Sequence, residues 1–468
     1  MAEDSASLAF KNHKKHRTQM MQNKKRFTAK KLPLTAAITA AVLATPALAV
    51  DFHGYARAGL STTIDGGEQL CYGNGANAHF VGRLGDECDT YGELSFGDEL
   101  FNQDGKVFRL DTMLAYQASN QGNDYQSLSG PNEVIGVDFA DEDTTTASSE
   151  PWAGGDFALR QVYGSAKGVI GWAPEATLWA GKRYYQRKDV HILDLYYVNN
   201  SGYGAGLEGI DMGAGKFSFA VTNFDTPSRH SGPAEGFYAQ NNKVDLRYSF
   251  PVGSGNLELI GIYGYADLTD AQDQALDSLS READRDGYFL TTEYSRGMMG
   301  GFNKFILQYA EGSMGHQAYA AHSGSESLNS TWWGGTMDES WRILDWGVIK
   351  LTDKIELGYS ALYQQGTAYG PLTDEDAEKL SVVLRPEYNW SNIMKTTFEV
   401  GYTSEEGVNT TESQDLSKVV VAQEWSAGPG FWARPTIRLY AGSFFGDRAE
   451  SREDDGNIRV GAQVEAWW

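Results

Sequence analysis

Residues 182–198, KRYYQRKDVHILDLYYV, crowd ionisable and aromatic side chains together. Four cations, two carboxylates, four tyrosines and one histidine share seventeen positions. Ionised groups form strong charge-assisted hydrogen bonds, and the rings offer flat apolar surfaces. A loop of satisfied ion pairs at a protein interface is the simpler interpretation of the same residues. Segments elsewhere in the chain that carry similar combinations decide between the two.

Several segments alternate so that an aromatic ring shares a face with charged or amide groups. In VDFHGYARAGL (50–60), Tyr55 shares a face with Arg57. In FWARPTIRL (431–439), which we interpret as one strand, Trp432 goes with Arg434. The rings that follow this rule are Tyr55, Tyr91, Phe302, Trp432 and Trp467. One such ring alone is typical of the aromatic girdle of a membrane barrel, whereas five on five segments indicate a lumen lined with rings.

Rings beside charges suit a sugar as the ligand. The C–H face of a pyranose packs on an aromatic ring, and its hydroxyl rim hydrogen-bonds to ionised side chains that replace hydration. Passage through a pore also requires successive sites that bind firmly enough for entry and weakly enough for release. A row of rings flanked by charges meets that requirement.

The chain after residue 49 consists largely of short alternating segments. VDLRYSF (244–250) and LELIGIYGYADL, joined by PVGSG, predict a hairpin, and comparable segments recur up to the C-terminus. Long polar stretches separate many of them: 120–156, 225–242, 266–286 and 312–340. Short turns alternating with long loops are typical of an outer-membrane barrel, and the length allows about 16–20 strands around an aqueous lumen.

Residues 1–49 predict a secretory signal. Basic residues precede the apolar run LPLTAAITAAVLATPALA, which is too short for a spanning helix and ends in small residues, so we place the cleavage after Ala49. Met20 and Met21 are alternative starting points. The remainder, 50–468, is predicted to be a single barrel domain. It has 30 basic and 60 acidic residues, a balance that argues against nucleic acid as a partner.

The last nine residues, VGAQVEAWW, predict an amphipathic strand that ends on an aromatic residue. This ending suits a barrel closed by its terminal strands, although a soluble β-sandwich can end in the same way. The signal, the loop pattern and this ending together predict an all-β, transmembrane antiparallel barrel. The two cysteines, Cys71 and Cys88, predict one disulfide in an exported chain, with two free buried thiols as the alternative.

Several segments of the chain resemble the maltoporin family of sugar-specific outer-membrane porins. The resemblance rests on VDFHGYARAG, RLGDECDTYGEL, WAGKRYYQRKDVHILDLYY, GFNKFILQYA, FWARPTIR and GAQVEAWW, and covers most of residues 50–468 outside the loops. It implies an 18-stranded barrel, assembled as a homotrimer, whose third loop folds into the pore. It also implies facilitated diffusion of maltose and maltodextrins, without a cofactor, in the outer membrane of a Gram-negative bacterium.

The family's functional residues carry over at matching positions. Its ladder of aromatics falls on the five rings chosen above by alternation. A sixth ring, on the second loop, falls on Trp152 when counted back from Arg160, which we prefer, or on Tyr125 when counted forward from the preceding strand. The polar track and constriction fall on Arg57, Arg83, Glu93, Arg160, Arg187, Asp189, Asp194 and Tyr196. Cys71 and Cys88 match the family's first-loop disulfide.

Two loops depart from the family pattern. Residues 122–151 look inserted and are acidic, and the loop around 446–457 is shorter. Both lie at the predicted outer mouth, so selectivity there and surface partners stay open. The partners that the resemblance implies are maltose and maltodextrins, outer-membrane lipid and lipopolysaccharide, and an assembly machinery that binds the C-terminal strand.

Other functions remain as alternatives. A porin for another oligosaccharide such as sucrose would use the same rings and charges, and a general diffusion porin would lack the aromatic ladder. A barrel hydrolase needs a nucleophile with a nearby base, and neither G-x-S-x-G nor H-E-x-x-H occurs in the sequence. We therefore predict neither an enzyme nor a metal site. A secreted carbohydrate-binding sandwich is the remaining alternative.

Overall fold

A computed structural model describes residues 50–66, 70–73, 78–119, 156–227, 238–267, 285–321, 336–369, 376–407 and 412–468. Within these residues no helix is long and apolar enough to cross a membrane. The strands are β1 Asp51–Thr63, β2 Asp89–Gln103, β3 Lys106–Ser119, β4 Asp156–Lys167, β5 Thr177–Val190, β6 Leu195–Asp211, β7 Lys216–Pro227, β8 Tyr238–Val252, β9 Gly255–Asp267, β10 Asp286–Met298, β11 Gly301–Gly312, β12 Thr336–Lys350, β13 Ile355–Tyr369, β14 Asp376–Asn389, β15 Met394–Glu406, β16 Gln414–Ser426, β17 Thr436–Phe445 and β18 Arg459–Trp467.

These 18 strands form one closed antiparallel sheet in which each strand pairs with its neighbours in sequence. The last strand also pairs with the first, with Tyr55 opposite Trp467 and Arg57 opposite Glu465. Closure leaves no unpaired sheet edge. The predicted all-β barrel, its strand number and its closure by the terminal strands are therefore confirmed.

Side chains alternate between an apolar outer face and a mainly polar inner one. On β14, Leu380 and Leu384 are exposed, whereas Ser381 and Arg385 between and beside them are buried. A barrel in a membrane needs this pattern, because its outer wall contacts hydrocarbon. The predicted hairpin at 244–267 follows it too: Leu246 is exposed, while Asp245 and Arg247 are buried.

The connection between β5 and β6 contains one 3-10 turn, His191–Leu193, and contacts strands far from its own. Leu193 and Leu195 share a buried cluster with Phe289 of β10, Ile306 of β11 and Leu344 of β12. The connection between β1 and β2, called here the first connection, packs on the same turn. Its backbone N–H groups of His79 and Arg83 donate hydrogen bonds to the carbonyl oxygens of Leu193 and Ile192, respectively. Residues 182–198 are thus held by apolar packing as well as by charges.

The predicted strand over 431–439 is wrong in its first half. β17 begins at Thr436, and residues 427–435 form the connection from β16. Pro435 has no N–H to donate to the sheet, which is why the ladder of hydrogen bonds starts after it. Trp432 and Arg434 therefore lie on a connection and owe their orientation to their contacts rather than to strand alternation.

The other connections differ in detail from the predicted loops. β7 continues to Pro227 and β8 starts at Tyr238, so the predicted loop over 225–242 is shorter than expected. A one-turn helix, α1 (Asp447–Glu450), lies between β17 and β18. The predicted disulfide between Cys71 and Cys88 is confirmed, with 6.0 Å between the two Cα atoms.

Candidate functional site

The five rings predicted from alternation lie in one row. It runs in the order Tyr91, Tyr55, Trp467, Trp432 and Phe302. Consecutive ring centroids are 6.0, 6.5, 6.4 and 6.4 Å apart, distances at which aromatic rings are in contact. The rings belong to strands and connections remote in sequence, yet they form a single apolar track.

Strand pairing positions one end of the row, and a connection positions the other. Tyr91, Tyr55 and Trp467 come from the adjacent strands β2, β1 and β18. Trp432 comes from the connection before β17, and its ring stacks 27° from parallel with Phe302 of β11. The neighbouring Phe431 anchors this connection in the same buried cluster as Leu193. The row therefore continues across strands that are not neighbours in the sheet.

Charged side chains and rings line a cavity of about 680 Å³ beside the row. It contains three rings of the row, Tyr55, Tyr91 and Trp467. All eight residues of the predicted polar track and constriction line it: Arg57, Arg83, Glu93, Arg160, Arg187, Asp189, Asp194 and Tyr196. The structure thus brings together groups from β1, β2, β4, β5 and β6 and from the β1–β2 and β5–β6 connections, while their binding roles stay predictions.

Arg57 is the centre of the ionic contacts on one side of this cavity. Its guanidinium donates hydrogen bonds to Asp89 at 2.8 and 2.9 Å, to Glu87 at 2.9 Å and to Asp194 at 3.2 Å. Arg83 also donates to Glu87 and, at 2.7 Å, to the Tyr55 hydroxyl. Arg57 therefore links the first connection to the 3-10 turn of the β5–β6 connection.

These contacts fix the charge states of the connection residues. Burial alone raises the pKa of Asp194, but Arg83 and Arg57 outweigh it and hold this pKa well below its usual range. Burial likewise opposes ionisation of Glu87, yet Arg83 and Arg57 lower its pKa to about 2. For His191, burial and the nearby Arg83 both lower the pKa well below the usual value. At neutral pH the two carboxylates are ionised and the imidazole is neutral.

Arg187 lies between two tyrosine rings. Its guanidinium carbon is 3.8 Å from the centroid of Tyr184 and 4.5 Å from that of Tyr196. Arg160 of β4 also contacts Tyr184, and its Nε donates a hydrogen bond to the Tyr184 hydroxyl. Stacking of cations on rings orients planar guanidinium groups that are otherwise free to rotate. Tyr184 and Tyr196 therefore both restrain the Arg187 guanidinium.

Sequence reasoning missed eight lining residues, among them Asp89, Tyr184 and His191. His191 sits against the row, with its ring centroid 5.3 Å from Trp432 and 5.7 Å from Trp467. Tyr184 and His191 belong to the crowded segment 182–198, so the density of ring and charge was the available signal. Nothing in the spacing alone distinguishes Tyr184 from its neighbour Tyr185, which is fully buried.

Two predicted residues are outside the described ranges. Trp152 and Tyr125, the alternative candidates for a sixth ring, both lie in 120–155. Among the residues that the structure does describe, no group of three or more His, Cys, Asp or Glu side chains is placed to hold a metal ion.

The site provides flat apolar surfaces beside a nearly balanced set of charges. Five cations and four carboxylates line the cavity: Arg57, Arg83, Arg160, Lys182, Arg187, Asp89, Glu93, Asp189 and Asp194. Asp189 is exposed, and no side-chain hydrogen bond of Asp189 occurs within the described ranges, so its carboxylate oxygens can accept from a solute. The closed 18-stranded barrel with this interior defines a pore-forming protein of the outer-membrane type.

Comparisons with known proteins agree with this class. The sequence profile of the family described as LamB porin matches residues 50–468. A relative from Hahella chejuensis (strain KCTC 2396), named "Maltoporin", is 42% identical over 455 residues, which cover 95% of this chain and 99% of the relative. The chain therefore belongs to the LamB porin family. It is a channel of the Gram-negative outer membrane rather than an enzyme.

Solved structures with low sequence identity also match. "Crystal Structure of Pseudomonas aeruginosa OccK8 (OprE)" has a TM-score of 0.47 and 12% identity, covering 90% of this chain and 98% of that one. "Salmonella typhi OmpF complex with Daunomycin" has a TM-score of 0.44 and 9% identity, covering 90% of this chain and 97% of that one.

Proposed function

We propose that this channel conducts maltose and maltodextrins across the outer membrane by facilitated diffusion. The observation that carries the proposal is the row of five rings, with centroids 6.0–6.5 Å apart. Such a spacing offers a linear oligosaccharide an almost unbroken apolar surface, so that one sugar unit reaches the next ring before the previous contact is lost. The name of the Hahella chejuensis relative supports the same substrate class.

The charges beside the row serve the hydroxyl groups of the sugar. Five cations and four carboxylates nearly cancel, so the cavity favours a neutral polar solute over an ion of either sign. Arginine side chains donate to hydroxyl oxygens, and Asp189 and Asp194 accept from hydroxyl hydrogens. Exchange of these hydrogen bonds from one position to the next lets the sugar move without full rehydration.

The β5–β6 connection, the third at its end of the barrel, forms the constriction by folding into the lumen. This part of the proposal is supported by the contacts of Asp194 with Arg57 of β1 and of Tyr197 with Glu293 of β10. One short segment reaches both strands only by lying between them. Arg187, Asp189, Asp194 and Tyr196 then set the narrowest cross-section.

The assembly and its surroundings complete the proposal. The functional unit is a homotrimer with three separate pores, inserted in a membrane of lipid and lipopolysaccharide, after removal of residues 1–49. The assembly machinery binds the C-terminal strand, whose sequence ends on Trp467 and Trp468. The apolar outer wall, with exposed residues such as Leu246 and Leu384, supports contact with lipid.

Purified trimers in a planar bilayer test the function. Maltotriose and longer maltodextrins should block the ion current with affinities that rise with chain length, because a longer chain covers more rings. A linear polyol of similar size, which has no pyranose face, is the matched control. Equal block by the polyol and the maltodextrins would contradict a sugar-specific channel and favour a general diffusion porin.

A porin for another oligosaccharide such as sucrose is the second candidate, since ring-and-charge recognition serves any pyranose. Liposome swelling with a panel of sugars separates the two. Faster uptake of maltotriose than of sucrose supports the maltodextrin assignment, and the reverse order supports the alternative.

A further inference from the structure

The carboxylate of Glu465 joins two neighbouring rings of the row to the arginines around them. We propose that Glu465 is a positioning residue that fixes the mutual orientation of Tyr55 and Trp467. The proposal rests on the sugar-conducting function above and identifies a determinant of affinity that does not itself touch the sugar. Glu465 lies on β18, two residues before Trp467, and its side chain is only 1% exposed.

One oxygen of this carboxylate holds Tyr55. The Tyr55 hydroxyl donates to Oε1 at 3.1 Å, and Arg83 Nη2 lies 3.3 Å from the same oxygen. Arg83 also donates to the Tyr55 hydroxyl at 2.7 Å. The hydroxyl therefore has one defined donor and one defined acceptor, which hold the hydroxyl end of the ring in place.

The other oxygen holds Trp467 indirectly. Arg434 donates to Oε2 at 2.8 Å from Nε and approaches it to 2.7 Å with Nη2, an arrangement that fixes the guanidinium plane. That guanidinium carbon lies 4.3 Å from the centroid of the Trp467 ring and so covers one of its faces.

The result is a nearly parallel pair of rings. Tyr55 and Trp467 are 16° from parallel with centroids 6.5 Å apart, the smallest interplanar angle in the row. Parallel rings present one continuous surface to consecutive sugar units, whereas a tilted ring contacts an edge. Loss of the Glu465 charge should release both rings at once, although neither ring is itself altered.

Glu465→Gln tests the proposal without leaving every arginine unpaired. Arg83 keeps Glu87, Arg438 keeps Glu424 at 3.7 Å, and Arg434 keeps the backbone carbonyls of Phe431 and Ala433. Glu424→Gln is the matched control, because Glu424 is equally buried on the neighbouring part of the wall and contacts Arg438 but no ring of the row among the described contacts.

Maltotriose block of single channels gives the first readout. Glu465→Gln should weaken the affinity about tenfold through faster release, with an open-channel conductance close to that of the unmodified protein, and Glu424→Gln should change the affinity less than about twofold. Tyr55→Phe removes only the hydroxyl that Glu465 holds. It should weaken affinity by itself and make the added effect of Glu465→Gln smaller than in the unmodified protein.

A second readout does not depend on sugar binding. In protein labelled with 5-fluorotryptophan, the Trp467 fluorine signal, assigned with Trp467→Phe, should shift or broaden in Glu465→Gln and not in Glu424→Gln. An unchanged Trp467 signal overturns the proposal even if the channel binds no sugar. Equal loss of affinity in both glutamine variants also overturns it. If Glu465→Gln fails to assemble, unchanged affinity in Tyr55→Phe is the overturning result.

Discussion

The guanidinium carbon of Arg187 lies 3.8 Å from the centroid of the Tyr184 ring, closer than any other cation–ring contact in the described residues. The centroid of the Tyr196 ring lies 4.5 Å from the same guanidinium carbon, and Arg160 donates to the Tyr184 hydroxyl. Two tyrosine rings thus contact one guanidinium group beside the cavity. The position of Arg187 depends on both tyrosines, and Tyr184 couples it to a second arginine on another strand.

Tyr184→Ala should weaken maltotriose block several-fold, because it uncovers one face of Arg187 and leaves Arg160 without its hydroxyl partner. Tyr184→Phe keeps the ring and removes only the hydroxyl, so it should lose much less affinity. A double-mutant cycle with Arg187→Ala checks the mechanism. Fully additive losses in that cycle would mean that Tyr184 does not act through Arg187.

Tyr196→Ala should raise the single-channel ion conductance while sugar selectivity falls. The substitution removes one of the two rings that contact Arg187 at the proposed constriction, which widens the constriction and frees Arg187 to rotate. Tyr196→Phe keeps the ring and is the control, with conductance near that of the unmodified channel. Liposome swelling measures selectivity, as the ratio of maltotriose uptake to that of a linear polyol. Unchanged conductance in Tyr196→Ala would place the narrowest point elsewhere.

The strand pattern made much of this fold and part of this site predictable. Alternation of period two identified the inner face of β1, β2, β11 and β18, and so selected rings that the structure brings together. The same rule says nothing about connections. It placed Trp432 on a strand, whereas the ring reaches Phe302 because the connection over 427–435 is anchored by Phe431.

Contacts between segments far apart in sequence could not be predicted in this way. Ile306 and Phe289 occupy inner-face positions that alternation assigns to a wet lumen, yet both are fully buried against Leu193 and Leu195. Likewise, alternation along VGAQVEAWW puts Glu465 on the same face as Trp467, but the contacts of Glu465 with Arg83 and Arg434 depend on the closure of the barrel and on two connections. Strand alternation determines which face of the sheet a residue occupies, whereas tertiary packing determines which residues it contacts.

Trp432→Ala and Trp467→Ala should each weaken maltodextrin binding by about 1–2 kcal/mol, since each removes one stacking surface. The open-channel conductance should change little, because the ring contacts of Arg187 in the described residues are with Tyr184 and Tyr196. Leu439→Ala, an exposed position on the outer face of β17, is a control with no expected effect on affinity. Retention of full affinity in both tryptophan variants would contradict the stacking role of the row.

Removal of the Cys71–Cys88 disulfide should loosen the first connection without unfolding the barrel. The bond closes a loop with a sequence separation of 17, worth about 3 kcal/mol in the chain-entropy model. Arg83 and Glu87, which contact Tyr55 and Arg57, lie within that loop. The double variant Cys71→Ser, Cys88→Ser should show faster proteolysis within 72–87 and weaker sugar block, with trimer mobility on gels unchanged. Full labelling of both thiols in the unreduced, denatured protein would rule out the bond.

The contributions of His191 and Asp194 to sugar affinity should stay constant between pH 8 and about pH 5, where an ordinary histidine titrates. The pKa of His191 lies well below its usual value, because burial and Arg83 disfavour the imidazolium, so the ring stays neutral throughout. The pKa of Asp194 also lies below its usual range, since Arg83 and Arg57 outweigh burial, so its carboxylate stays ionised. For a carboxyl with a depressed pKa, the stabilisation is present above the ordinary value and is lost only as pH falls through the depressed one.

Asp194→Asn separates the Asp194 contribution from the rest of the pH profile. Arg57 keeps Asp89 and Glu87 in this variant, so the lost affinity, about 1.5–3 kcal/mol, reflects the missing charged acceptor rather than a displaced arginine. The loss should be the same at pH 8 and pH 5, because Asp194 is ionised at both. Current block measured at each pH checks this. A step in the affinity of the unmodified channel near pH 6.5 would show that His191 gains a proton there, and a loss that shrinks toward pH 5 would show that Asp194 does.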